Sequence, residues 1–333
     1  MRAFLPVAAL LLSLRAPAPA AGVPATDDPA GADVERYHLQ SNEWVTLHQR
    51  LMYEARFGDA PPPEGLTGDD LSAWNTAVEQ YKTWLGPRRS PIVDPELIAL
   101  NRALSETKNG AHGARLPEGI PEAAAKVLDA ARPLYDKGQW ARDDAANRFW
   151  IATAAPLLRS AAAELIAAHE KAYGVPFPKR IRVDVVSYGW EFGAYTVGDG
   201  REVHSVIQST DAGSQGFAAL EALMHEPSHG IVEPDQGAIG ADLAHAAAEL
   251  HVKPPYNLWH ALLFYTSGEL TRRVLAERGV LNYTPVIQIG MFDRQFKGFR
   301  DVFDQHGRAW LDGKKTREEA MHAIVQATSK PAP

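Results

Sequence analysis

The first part of the chain has its hydrophobic residues at the spacing of α-helices. In "NEWVTLHQRLMYEARF" the apolar positions 44, 47, 51, 52 and 56 lie close to the i, i+3, i+4, i+7 pattern of one helix face. Other segments with helical spacing and turn residues at their ends are "DDLSAWNTAVEQYKTWLG", "DPELIALNRALSETKNG" and "DDAANRFWIATAAPLLRSAAAELIAAHEKAYG". The pattern therefore predicts a helical N-terminal region over residues 35–175.

The pattern changes after residue 175. β-branched and aromatic residues are frequent in "RIRVDVVSYG", "EFGAYTV" and "VHSVIQST". The turn signal "VGDGRE" between the last two segments predicts a β-hairpin over residues 191–209. Helices are predicted to follow at 216–232, 238–251 and 258–278, with another in "TREEAMHAIVQATS". We therefore expect a helix-rich α+β fold with a small sheet, and a second domain over residues 176–330.

The N-terminus has the features of an export signal. "MRAFLPVAALLLSLRAPAPAAGVPA" contains Arg2, then an apolar run, then Ala18-Pro19-Ala20 as an A-x-A-like cleavage site. We predict a signal peptide over residues 1–20, cleaved near Ala20, and a disordered Ala/Pro/Gly/Asp-rich leader over 21–34. The apolar run is too short to span a bilayer, so a periplasmic or secreted protein without a transmembrane segment is expected, and an uncleaved anchor is the alternative.

Charge and composition narrow the classes of partner and of metal ligand. A net charge of −7 over 333 residues argues against nucleic acid or an anionic membrane surface as the main partner. The chain has no cysteine, so any metal must be held by histidines and carboxylates. The sequence leaves the oligomeric state open.

The segment "LEALMHEPSHGIVEP" contains an H-E-x-x-H motif made by His225, Glu226 and His229. Residues at i and i+4 share one face of a helix, so the two imidazoles can bind one ion. Zinc suits imidazole, and a catalytic zinc site has three protein ligands and one position for water. Glu226 is next to the first ligand and is predicted to act as general base on that water.

Pro227 occupies one of the free positions of this motif. Proline inside a helix removes the hydrogen bond to the carbonyl of Leu223 and biases Glu226 away from helical geometry. We expect a kink here, followed by the end of the helix near Gly230 and Pro234. Both imidazoles would still lie on one side, so the motif predicts metal binding and leaves efficient turnover open.

The motif resembles that of the zincin metallopeptidases. The metzincin subclass requires a glycine and a third histidine at fixed positions after His229, and both are missing. The resemblance is therefore to the gluzincins, whose third ligand is a glutamate on a later helix. It implies a zincin-like domain with Glu269, in "NLWHALLFYTSGELTRRVLAERG", as the third ligand.

The sequence also allows other partners for Glu269 and other metal ligands. Glu269 could instead form an ion pair with Arg272 or Arg273, at i+3 and i+4. His260 lies nine positions before Glu269, on the opposite side of the helix, so both cannot bind one ion. The remaining candidate ligands are His245, Glu249 and Glu233.

The resemblance also implies a substrate-binding edge strand beside the motif helix, for which "GREVHSVIQST" is the expected segment. An oxyanion stabiliser is expected at Tyr283, with Tyr265 and His306 as alternatives. The expected function is that of an exported zinc-dependent metallopeptidase acting on a peptide or protein substrate. The alternatives are a non-catalytic zinc-binding pseudo-peptidase and a helical binding protein of the cell envelope.

Overall fold

The computed structural model of the protein describes residues 31–58, 60–86, 90–107, 109, 120–191, 193–198, 203–233 and 237–331. The predicted signal peptide and its cleavage site lie outside these residues. The helices are α1 Glu43–Phe57, α2 Gly68–Leu85, α3 Pro95–Ser105, α4 Glu122–Gly138, α5 Trp140–Tyr173, α6 Ala218–Val232, α7 Ala238–Leu250, α8 Leu258–Glu277, α9 Met291–Arg294, α10 Arg300–Val302, α11 Arg308–Leu311 and α12 Arg317–Thr328. The strands are β1 Gly31–Val34, β2 Tyr37–Gln40, β3 Ile181–Val186, β4 Ala194–Gly198, β5 Val203–Gln208, β6 Val252–Lys253 and β7 Lys330–Pro331. The predicted helix-rich α+β class is confirmed.

The main sheet has five strands in the order β1-β2-β3-β5-β4. β4 and β5 pair antiparallel, which confirms the predicted hairpin. β5 also pairs with β3, in parallel, so it lies inside the sheet, and β4 is the strand at this edge. The expectation that "GREVHSVIQST" forms the edge strand is therefore wrong. Residues 204–207 of β5 are buried and lie between two neighbouring strands, and β4 occupies this edge of the sheet.

Two short strands precede the first helix. Residues 31–34, predicted to belong to a disordered leader, form β1, and β2 replaces the start of the predicted helical region. β2 pairs antiparallel with β1 and parallel with β3, in the register Tyr37↔Ile181. A strand of four residues has no readable periodicity, and one of the two strands that β2 pairs with, β3, lies far along the chain. Tertiary pairing, rather than local propensity, makes this segment a strand.

The sheet separates two hydrophobic clusters. On one face, side chains of α5, α6 and α8 pack against Val183 and Val185 of β3. On the other face, side chains of α1–α4 pack against Val186 of β3 and Val206 of β5. Each cluster contains residues from both sides of position 175, so the predicted boundary there does not divide the hydrophobic core.

The longest helix, α5, is central to the first cluster. Among the described residues it is the helix whose length and apolar composition would suffice to cross a membrane. In its most apolar window 44% of the residues are buried inside the protein, and a core helix of this kind meets the same criterion. Leu158 and Leu165 are two of its fully buried residues.

His169 of α5 makes the stability of the fold depend on pH. Its Nδ1–H donates to the carbonyl of Leu165 over 2.7 Å, and burial lowers its pKa to about 4. The unfolded chain binds a proton near pH ~6.5 and the folded chain only near pH 4, so stability falls as pH decreases between these values. We expect this residue to reduce the free energy of unfolding by about 3 kcal/mol at pH 4 relative to pH 7.

Urea unfolding at pH 7, 5.5 and 4 tests this expectation, with His169→Phe as the control. The phenylalanine keeps an aromatic ring beside Tyr173 and Phe177 but cannot titrate. The variant should lose less stability than the parent over this pH range. Equal losses would contradict the assignment to His169.

Candidate metal centre

The helices α6 and α8 pack side by side and run in opposite directions. Along α6, His225 comes before His229, whereas along α8, His260 comes before Phe264. The ring of His225 contacts Phe264 at a centroid distance of 4.0 Å, and that of His229 lies 5.4 Å from His260. The i, i+4 pair of α6 thus faces an i, i+4 pair of α8.

Three imidazoles meet between these helices. The ring centroids of His225, His229 and His260 are separated by 5.1, 5.5 and 5.4 Å, which is close to an equilateral triangle. One ring nitrogen of each lies within 4.8 Å of the others. Three converging imidazole donors could hold one metal ion.

Pro227 does not end the helix before the second histidine. α6 continues through Pro227 to Val232, so His225 and His229 remain on one face. The carbonyl of Leu223, which loses its helical partner to the proline, accepts a hydrogen bond of 2.8 Å from the hydroxyl of Tyr37. A side chain from β2 therefore supplies the donor that the proline lacks.

The protonation states of the histidines suit a metal. Burial lowers the pKa of His225 well below its usual value, and the nearby His229 and His260 lower it further. Burial, with a contribution from His229, lowers the pKa of His260 to about 3. Both imidazoles are therefore neutral at pH 7, the form that binds metals. The buried Nδ1 of His225 has no hydrogen-bond partner among the described residues, so a bound cation would fit this donor set.

Glu233 orients one of the imidazoles. Its Oε1 lies 3.0 Å from Nδ1 of His229, one helical turn earlier. A carboxylate at Nδ1 keeps the proton there and leaves Nε2 free as a donor to a metal. Glu233 was one of the candidate ligands, and in the structure its carboxylate contacts one of the three clustered histidines instead.

Glu226 follows His225 on α6 and faces the sheet. Its Oε2 accepts a hydrogen bond of 2.7 Å from Thr196 of β4, whose hydroxyl lies 2.8 Å from that of Ser205 on β5. Burial raises the pKa of Glu226, and His229 and the bond from Thr196 act against this rise. Thr196 and Ser205 are not among the site residues predicted from the sequence. The alternation along β4 and β5 is the signal that would have placed them on the α6 face.

Glu269, expected as the third ligand, is not in the histidine cluster. Its carboxylate accepts hydrogen bonds from Arg272 Nε over 2.7 Å and from Arg273 Nε over 2.8 Å. Burial alone would raise its pKa, but the two arginines lower it. Because Glu269 is nine positions from His260, it lies half a turn away around α8. This expectation is corrected: His260 is the residue of α8 that joins the motif histidines.

Tyr283, expected as an oxyanion stabiliser, has another partner. Its hydroxyl donates to Oε2 of Glu221 over 2.5 Å, and the backbone N–H of Val286 donates to the same carboxylate. Glu221 lies one helical turn before His225, and burial raises its pKa to about 7. Tyr283 thus holds the chain after α8 against the first turn of α6. No contact among the described residues supports the predicted role.

The remaining alternatives also lie apart from the cluster. His245 and Glu249 are exposed and pair with each other over 3.3 Å on α7. Tyr265 packs against Phe303, with ring centroids 5.3 Å apart, and His306 contacts Lys315. None of them belongs to the histidine group found among the described residues.

Aromatic side chains surround the three imidazoles. Trp259 stacks on His260 with ring centroids 5.0 Å apart, and Phe296 contacts the same imidazole from another side at 6.1 Å. An apolar surrounding of this kind lowers the local dielectric and strengthens the interaction of a bound ion with its ligands. The sequence signal for this side of the site is the four-residue spacing of His260 and Phe264.

Comparison of the chain with protein-family models, with curated proteins and with solved structures finds no match. The functional conclusion therefore depends on the geometry of the histidine cluster and its neighbours.

Proposed function

We propose that this chain is a zinc-dependent hydrolase, most specifically a metallopeptidase of the H-E-x-x-H type. The ligands in this proposal are His225, His229 and His260, and Glu226 is the general base. The observation that carries it is the convergence of three imidazoles from α6 and α8 next to the buried carboxylate of Glu226. Three protein ligands with a fourth position left for water are typical of a catalytic zinc site.

Each residue around the ion would have a separate role. Bound zinc supplies Lewis acidity and a water molecule of lowered pKa. Glu233 holds the imidazole of His229 in the metal-binding tautomer. Thr196 orients Glu226 through Oε2, and we assign proton transfer to Oε1 of the same carboxylate. The raised pKa of Glu226 brings it closer to neutral pH, where a group that first accepts and then donates a proton is effective.

An extended peptide is the substrate that this arrangement favours. β4 is the edge strand of the described sheet, and Thr196 links it directly to Glu226. A peptide that pairs with an edge strand is held by its main chain and needs no particular sequence. Pairing along β4 would bring such a peptide next to the proposed base.

The test is hydrolysis by the purified zinc-loaded protein. A denatured protein and a mixture of short peptides are incubated with it, and new amino termini are identified by mass spectrometry. We expect cleavage that stops after chelation, returns with added zinc and is absent in His260→Ala. Cleavage that persists in metal-free protein, or at the parent rate in His260→Ala, would overturn the proposal.

A structural zinc site without turnover is the second candidate. It is favoured by the deep burial of His225, 4% exposed, and Glu226, 5% exposed, because a substrate must approach both. In that case zinc binds with the same three ligands and stabilises the protein. The hydrolysis assay would then detect no zinc-dependent product with any peptide.

A further inference from the structure

The hydrogen bond between Tyr37 and Leu223 lies inside the turn of α6 that carries the motif. In a regular helix the N–H of residue 227 would donate to the carbonyl of residue 223 and close the turn containing residues 224–226. Pro227 has no N–H, and its ring pushes against that carbonyl. His225 and Glu226 therefore lie in the one turn of α6 whose own hydrogen bond is missing.

We propose that Tyr37 is a positioning residue of the metal site. Its hydroxyl replaces the hydrogen bond that Pro227 removes and so fixes the turn that presents His225 and Glu226. This inference rests on the proposed metal site. Through this bond β2 helps to orient the proposed ligands, although Tyr37 lies 186 positions before Leu223 in the chain.

Several features of Tyr37 suit this role. Its side chain is 1% exposed, and Leu223 is fully buried, so water does not compete for the carbonyl. The parallel pairing with Ile181 fixes the backbone of Tyr37 in the sheet, and its side chain lies on the face that packs against α6. Burial raises its pKa well above the usual value, so the hydroxyl keeps the proton that it donates. The same hydroxyl also contacts the sulfur of Met224, the residue before His225, at 3.6 Å.

A buried carbonyl that loses its donor turns towards another partner and changes the local helix geometry. At Leu223 this change would rotate His225 relative to His229 and His260. Outer partners of metal ligands commonly contribute about 10- to 100-fold in metal affinity. Tyr37→Phe, which removes only the hydroxyl, should therefore weaken zinc binding by about this factor.

The effect of Tyr37→Phe is compared in the parent and in Pro227→Ala. An alanine at position 227 restores the backbone N–H that can donate to the carbonyl of Leu223. Zinc dissociation constants are measured by chelator competition for the parent, Tyr37→Phe, Pro227→Ala and the double variant. We expect a loss of about 10- to 100-fold on removing the hydroxyl when Pro227 is present, and less than about 3-fold in the Pro227→Ala background. An equal loss in both backgrounds, or no loss in either, would overturn the inference.

Tyr135→Phe is the matched control. Tyr135 is also fully buried and its hydroxyl donates to Asp143 over 2.6 Å, but it belongs to the other hydrophobic cluster. We expect it to lower stability and leave zinc affinity unchanged. A matching loss of affinity in Tyr135→Phe would show a general effect of stability and contradict a positioning role.

Folding of the variants gives a second readout. If Tyr37→Phe does not fold, the double variant is expected to fold, because its turn has a backbone donor again; failure of this rescue would contradict the inference. If the parent binds no zinc, the proposed function fails separately. The rescue of stability by Pro227→Ala then still decides whether Tyr37 replaces the missing hydrogen bond.

Discussion

Replacing Glu226 by glutamine is expected to reduce zinc-dependent peptide hydrolysis by about 100- to 10,000-fold while the zinc stays bound. Glutamine has the shape of glutamate, and its amide oxygen can still accept the hydrogen bond from Thr196. It cannot accept a proton at neutral pH. Glu226 is outside the histidine group, so the metal ligands are unchanged. The effect should therefore appear in the rate and not in the zinc content.

The measurement is kcat/KM on a peptide identified in the hydrolysis assay, with zinc content determined on the same preparation. His245→Gln is the control, because His245 is an exposed histidine of α7 that pairs with Glu249. The control should retain the parent rate within a few-fold. Activity of Glu226→Gln within about 5-fold of the parent would remove Glu226 from the chemistry.

Zinc removal is expected to lower the thermal midpoint of the parent by an amount on the order of 10 °C. A ligand that binds only the folded state, at a free concentration of about 1,000 Kd, contributes ~4 kcal/mol, and each kcal/mol shifts the midpoint by a few degrees. The effect is expected here because the ion would join α6 to α8. The buried His225 packs against Phe264 of α8, and the ion would add bonds to this contact.

The midpoint is recorded by calorimetry in zinc-loaded and chelated protein, with metal loss confirmed. His260→Ala is the comparison, since it keeps the H-E-x-x-H motif and lacks the donor on α8. Zinc should shift its midpoint far less than that of the parent. An unchanged parent midpoint after confirmed metal loss would show that the ion does not link the helices.

Local signals in the sequence predict most of the helices. Asp94 accepts hydrogen bonds from the first backbone N–H groups of α3, and Gly174 has the positive φ that ends α5. These residues act within one turn of the chain, so their effect can be read from neighbouring letters. β1 and β2 are too short to show such a signal, and β2 enters the main sheet by pairing with β3, more than a hundred positions later.

The residues of the candidate metal centre also differ in whether local sequence predicts them. His225, Glu226 and His229 are close in sequence, and the helical repeat alone brings the two histidines together. The position of the third histidine, His260, depends on which face of α8 packs against α6. Both faces are largely buried, so hydrophobic periodicity does not indicate the contact.

The resemblance to gluzincins favoured Glu269 of α8, whereas the structure places His260 beside the motif histidines. Arg272 and Arg273, one turn after Glu269, were the available signal that its carboxylate is already paired. The role of Tyr37 could not be predicted from the sequence. Its partner is a backbone carbonyl of a distant helix, which lacks a helical donor because of Pro227.

The most direct test of the histidine site is zinc content, measured by mass spectrometry on the purified parent, His260→Ala and Glu269→Gln. Zinc is supplied during growth and chelators are omitted during purification. We expect close to one zinc per chain in the parent and in Glu269→Gln, and much less in His260→Ala. Zinc retained in His260→Ala but lost in Glu269→Gln, or absent from the parent, would contradict it.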